Sequence, residues 1–122
     1  MPDYATMKAG PDMDALVAEK VMEREALSPV PPYSQGLSIT ALWEVLETML
    51  HRGWGFSLDS PGAYHFCEGR LQEDFWCCTF ARPGVSGDKY DVDEYFAEAA
   101  TAALAICRAA LTAVEEAEKE RL

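Results

Sequence analysis

The stretch Thr101-Ala-Ala-Leu-Ala-Ile-Cys-Arg-Ala-Ala-Leu111 decides the fold. Leu104, Cys107, Leu111 and Val114 recur at helical spacing, and the alanines between them offer a smooth surface suited to lying on a sheet or against another helix. Nothing in the run carries reactive chemistry, so it reads as a packing helix. Working outward from it, the chain reads as helix, helix, sheet, helix.

At 122 residues and 49% apolar content the chain can fill one ordinary core without disulfide or metal staples. A single domain is expected over residues 12–114. A flexible leader precedes it at 1–11, where two prolines and a glycine break any period, and a frayed acidic helix end follows at 115–122. Ten basic residues against twenty-one acidic ones give a formal charge of −11, which opposes approach to phosphate backbones and anionic membranes. Direct nucleic-acid binding and a membrane role are therefore not expected. The same charge allows the converse, in which carboxylates imitate phosphates toward a basic groove.

No apolar run reaches the roughly 20 residues of a spanning helix, and the best candidate, 99–114, carries Arg108. Met1-Pro-Asp-Tyr4 lacks a basic region followed by an apolar one, so a cytoplasmic location is expected. Cys67, Cys77, Cys78 and Cys107 then read as reduced thiols.

The first helix is expected to begin near Asp12 or Asp14, with Met13, Leu16, Val17 and Val21 as its apolar stripe. Ser28-Pro-Val-Pro-Pro32 ends it, since residues before proline leave helical geometry. Ser34 or Ser38 caps a second helix, whose buried stripe reads as Ile39, Leu42, Trp43, Leu46 and Met49 or Leu50, and Gly53 ends it. The period then turns alternating. Trp54-Gly-Phe-Ser-Leu58, Ala63-Tyr-His-Phe-Cys67 and Phe75-Trp-Cys-Cys-Thr-Phe80 read as strands of an antiparallel meander, joined by turns at Asp59-Ser-Pro-Gly62 and Glu68-Gly-Arg70. Residues 90–100 admit two readings: an early start of the last helix, capped by Asp91 or Asp93, or a fourth strand at 95–98 with the helix starting near Thr101.

Several of these segments carry a resemblance. Leu16 to Met22, Pro31-Pro-Tyr-Ser34 followed by Ile39-Thr-Ala-Leu-Trp-Glu-Val45, the Gly53-Trp54 pair and the run from Thr101 to Leu111 are together similar to a family of small phage and prophage proteins, the phage ABA sandwich domain. The likeness covers most of residues 14–113. It implies an α+β fold, a three-layer α/β/α sandwich with about three helices and a small antiparallel sheet of three to four strands, and it favours the strand at 95–98. It also implies a phage context, in which small accessory proteins bind host defence components or their signals. Ala103 stands where the family often has proline, and the 82–93 loop is longer and more acidic than usual.

Candidate chemistry is sparse, and no catalytic residue, cofactor or metal is expected. His65 and Cys67 share a strand face two residues apart, too far for an easy nucleophile–base contact. Zinc ligation by His65, Cys67, Cys77 and Cys78 lacks a Cys-x-x-Cys knuckle, and Cys77 and Cys78 face opposite ways in a strand. Asp88, Asp91, Asp93 and Glu94 lack the glycine and distal glutamate offsets of a calcium loop.

Two binding modes remain. One is capture of a small anionic, nucleotide-like ligand, with Arg82, Lys89 and Arg108 meeting phosphate and Trp76 or Tyr90 stacking on a base. Arg70, Tyr64 and Tyr95 are further candidates of the same types. The other is antagonism of a host defence protein by Asp88, Asp91, Asp93 and Glu94, or by Glu115, Glu116, Glu118 and Glu120. A structural or assembly role is the third reading, and the outer side of the last helix is a possible seat for a homodimer or higher homo-oligomer.

Overall fold

A computed structural model describes residues 3–24, 30–62, 64–65, 70–71, 74–84, 86, 88 and 91–120. The first helix, α1 (Pro11–Leu16), opens with proline at its first turn, where a missing N–H costs nothing. It widens into a π-helical segment, Val17–Val21, in which the Met22 N–H donates to the Val17 carbonyl. Met13, Val17 and Val21 are fully buried and Leu16 packs against the core, as the periodicity predicts. Tyr4, expected in a loose leader, is only 3% exposed and belongs to that core.

Helix α2 (Ile39–His51) is capped by Ser38, whose hydroxyl accepts the Ala41 N–H at 3.1 Å, and it stops at Gly53, which turns left-handed at φ 91°. Its orientation differs from the expected one only in part: Leu46 and Met49 are buried and Leu42 packs against the core, as the spacing predicts. Ala41, Val45, Leu46 and Met49 face inward, while Ile39, Trp43 and Leu50 are exposed. Apolar residues cover more than one side of α2, and the side that includes Ala41 and Val45 is the buried one in a helix that touches α3, β1 and the π-helical segment.

Strands β1 (Gly55–Asp59), β4 (Trp76–Pro83) and β5 (Val92–Ala99) form an antiparallel sheet in the order β1-β4-β5. Strands β2 (Tyr64–His65) and β3 (Arg70–Leu71) pair only with each other. The three-stranded core sheet is thus not a continuous meander: the β2-β3 hairpin is inserted between two paired neighbours. The rest of the 63–67 strand reading and most of the Glu68-Gly-Arg70 turn lie outside the described residues. Residues 92–99 are strand, so the choice left open by the sequence falls that way. Thr101 then starts α3 (Ala102–Glu120) by accepting the Leu104 N–H at 3.2 Å.

The fold class is α+β, with three helices and a three-stranded antiparallel sheet. Burial distinguishes the two faces of the sheet. Along β4 and β5 the residues Cys78, Phe80, Ala97 and Ala99 are buried, while Val92, Glu94, Phe96 and Glu98 on the alternate face of β5 are exposed. Helix α3 lies on the buried face, touching β4 and β5, and its far side meets α2 and the π-helical segment. Among the described residues α3 thus has β4 and β5 on one side and meets α2 and the π-helical segment with the other, while α2 also touches β1. The alanines explain it: Ala105, Ala109, Ala110 and Ala113 are fully buried together with Ile106, Cys107 and Leu111, so α3 presents apolar surface nearly all round and packs on both sides. It also stays helical through the region expected to fray, with Ala117 still buried. The partly exposed side of α3 includes Ala102, Leu104, Arg108 and Thr112, all half-buried among the described residues.

Candidate functional site

Register sets the geometry of the sheet's outer face. Gly55, Ala81 and Glu94 lie in one row across the three strands, Ser57, Thr79 and Phe96 in the next, and Asp59, Cys77 and Glu98 in a third. Side chains along β1 and the middle of β4 are small, so they leave a shallow trough of about 330 Å³ lined by Gly55, Ser57, Thr79, Ala81 and Glu94, with Phe56 at its margin. On the β5 side Phe96 stands 62% exposed. Two hydroxyls and a carboxylate in this trough can receive an ammonium or guanidinium group. A smaller recess of about 220 Å³ lies where Tyr4, Phe96, Thr112, Glu115 and Lys119 meet.

The residues proposed to meet an anion are placed differently. Arg82 lies on the inner face, where its Nε is 3.2 Å from Asp93 Oδ2 and its guanidinium sits 4.4 Å from the centre of the Trp54 ring. Trp54 also meets Tyr95 edge-on, ring centres 5.9 Å apart, so Arg82, Trp54 and Tyr95 form one packed cluster. Arg108 donates from Nε to the Met7 carbonyl at 3.0 Å and from Nη1 to the Glu98 carbonyl at 2.7 Å, tying the N-terminal segment to the end of β5. Trp76 packs against the core opposite Ala99. It is six residues from Arg82 along β4, about 20 Å. Arg82, Arg108 and Trp76 are therefore not gathered into one pocket, and Lys89 and Tyr90 lie outside the described residues.

The acidic set divides as well. Asp91 closes the β4–β5 connection: its Oδ2 accepts the Ser86 N–H at 3.0 Å, and hydrogen bonds from the Ser86 hydroxyl and backbone hold its carboxyl below the usual range. A Cβ on Gly84 would push this carboxylate aside. Asp93 faces inward to Arg82, and Asp88 donates its N–H to Ser86 Oγ and accepts the Asp91 N–H. Of the four, Glu94 alone belongs to the outer-face rows. Sequence reasoning missed Asp59 and Glu98, whose shared row is visible only once β1 is known to pair with β4.

Asp14, read as a start of the first helix, has a different duty. It is buried, and its carboxylate accepts the Ser34 N–H at 2.7 Å, the Ser34 hydroxyl at 2.6 Å and the Gln35 side-chain amide at 2.6 Å. Ser34 also accepts the Gly10 N–H, so this knot fixes the approach to α2 on α1. The buried thiols are inert by environment: burial pushes Cys78 up to about 12, with smaller contributions from Cys77 and Asp59, and burial raises Cys107 as well. Among the described residues no three His, Cys, Asp or Glu side chains stand close enough to hold a metal, and no helix is long and apolar enough to cross a membrane. His65 and Cys67 fall where side chains are not described. No family model, curated protein or solved structure matches this chain.

Proposed function

We propose that this protein acts without catalysis, as a binding protein whose open sheet face receives a basic segment of a protein partner. The observation that carries this reading is the outer face of β1, β4 and β5, with small residues across its middle, Asp59, Glu94 and Glu98 around it, and Phe96 exposed beside them. A net charge of −11 draws a basic partner over long range, while Phe96 and Val92 supply apolar contact once it arrives. Of the four loop acids read from the sequence this proposal keeps Glu94 and replaces Asp88, Asp91 and Asp93 with Asp59 and Glu98, and it does not use the tail glutamates Glu115, Glu116, Glu118 and Glu120.

The resemblance of Leu16 to Met22, Gly53-Trp54 and the Thr101 to Leu111 run to phage ABA sandwich proteins is the ground for taking a host defence protein as the partner in this proposal. Capture of a nucleotide-like signal is the less supported reading. It would have to take Arg82 from Asp93 and Trp54, and Arg108 from two carbonyls.

The test is a titration of isotope-labelled protein with an arginine-rich peptide and, separately, with a cyclic dinucleotide. The peptide is expected to shift the amide signals of Ser57, Thr79, Glu94 and Phe96, to bind more weakly as salt rises, and to lose affinity when Glu94→Lys and Glu98→Lys are combined. Saturable binding of the dinucleotide, with shifts at Arg82 and Arg108, would overturn the proposal.

A further inference from the structure

The outward side of α2 carries an apolar stripe that the fold leaves uncovered. Ile39 is 85% exposed, Trp43 55% and Leu50 48%, and Leu37, one residue before the cap, is 76% exposed. At 100° per residue Ile39, Trp43 and Leu50 fall within about 40° of arc, on a ridge about 16 Å long. Four of the seven large exposed apolar side chains among the described residues gather here.

We infer that this stripe is the seat of an antiparallel, twofold contact with a second copy of the chain. Three observations favour that occupant. The first is symmetry. The exposed apolar residues stand at both ends of α2 and near its middle, so an antiparallel α2 pair whose axis passes between Glu44 and Val45 covers all three at once, Ile39 of each copy against Leu50 of the other with the two Trp43 indoles beside the axis.

The second is charge. Glu44 is answered by Arg24 at 3.9 Å, Glu47 accepts the Trp43 indole N–H at 2.6 Å, and Glu23 lies 3.7 Å from Arg52. Two of the three acids here are thus paired with arginines and Glu47 keeps its single negative charge, so in a chain of charge −11 this side opposes the approach of a like-charged copy only weakly. A basic partner is drawn instead to the acidic sheet face.

The third is area. At roughly 200 Å² per large side chain, these exposures leave about 500 Å² of apolar surface. With Thr40, Glu44, Glu47 and His51 as a polar rim, the patch approaches the ~800 Å² per partner of a standard stable interface, and its apolar centre is what homodimers favour.

Sedimentation equilibrium across a concentration series, at low and high salt, tests the inference. The mass is expected to rise from 13.5 kDa toward twice that value, and more readily at high salt, because screening removes the repulsion between copies. Ile39→Glu alone and Leu50→Lys alone are expected to weaken association at least tenfold while leaving the far-ultraviolet circular dichroism of the chain unchanged, since both side chains are exposed. Combining the two in one chain restores association, because antiparallel pairing brings each new acid opposite a new base. A monomer at every concentration in high salt, a double variant as monomeric as the singles, or association abolished by Glu94→Lys but indifferent to Ile39→Glu would each overturn the inference.

Discussion

Replacing Asp14 by alanine removes the acceptor on which the approach to α2 depends. Its carboxylate is 2% exposed and takes three donors, at 2.7, 2.6 and 2.6 Å, from Ser34 N, Ser34 Oγ and Gln35 Nε2. Ser34 is itself buried, so truncation leaves its backbone N–H without a partner, while its hydroxyl retains a longer, 3.4 Å alternative in the Gly10 carbonyl. One stranded N–H plus the loss of two charge-assisted bonds amounts to about 3 kcal/mol, after allowing for water entering the space. In a domain of this size that lowers the melting temperature by about 10 °C. The assay is thermal and urea unfolding at neutral pH, with exposed Asp12→Ala as the control. Asp14→Asn should lose about half as much, because its remaining carbonyl oxygen still accepts the Ser34 N–H. A loss under about 1 kcal/mol, or an equal loss in Asp12→Ala, would refute the clamp.

Other consequences follow from the same geometry. Arg108→Ala should cost about 1.5 kcal/mol by freeing the Met7 and Glu98 carbonyls, and unchanged unfolding would return Arg108 to ligand duty. Ala109→Leu should destabilise by about 2–3 kcal/mol, since a fully buried alanine of α3 has no room to grow, and a neutral result would open that side of α3 to solvent. Alkaline pH should unfold the protein. The Cys78 thiol keeps its proton up to about 12 in the native state while an unfolded thiol loses it near 9, so the stabilisation is intact below pH 8 and disappears as pH rises through that window. The slope is about 1.4 kcal/mol per pH unit for this thiol above pH 9, with Cys107 acting in the same direction. Urea midpoints at pH 8 and pH 10 measure it, and Cys78→Ala should flatten the slope.

The order of elements is legible in the sequence because each segment has a clean period: Met13, Val17 and Val21 mark one helix face, and the aromatic alternation after Gly53 marks the strands. The burial of α3 on nearly every side is written in its alanines too. By contrast, the rotation of α2 is not. Leu42, Leu46 and Met49 fit either setting, but Ile39 and Trp43 on one side are as apolar as Ala41 and Val45 on the other, and only the neighbours choose between them. Nor does local turn chemistry reveal that β1 pairs with β4 past the β2–β3 hairpin, because a signal such as Asp59-Ser-Pro-Gly62 speaks only for adjacent strands. The site suffers most from this. Arg82 and Arg108 look available in a string of letters, yet their partners are an aspartate one strand away and two backbone carbonyls that no pattern announces. Asp14 and Ser34, twenty residues apart, leave no trace of their bond.

Helix α3 packs against the inner face of the sheet, and the proposed binding surface requires the alternate face to be open. Adjacent cysteines report this directly, since Cys77 lies in an outer-face row and Cys78 points into the core. Alkylation of the native protein at neutral pH, resolved by tandem mass spectrometry, should modify Cys77 readily and leave Cys78 and Cys107 untouched until the protein is unfolded. Equal protection of Cys77 and Cys78 would mean that the outer face is covered, and would contradict the proposed binding surface.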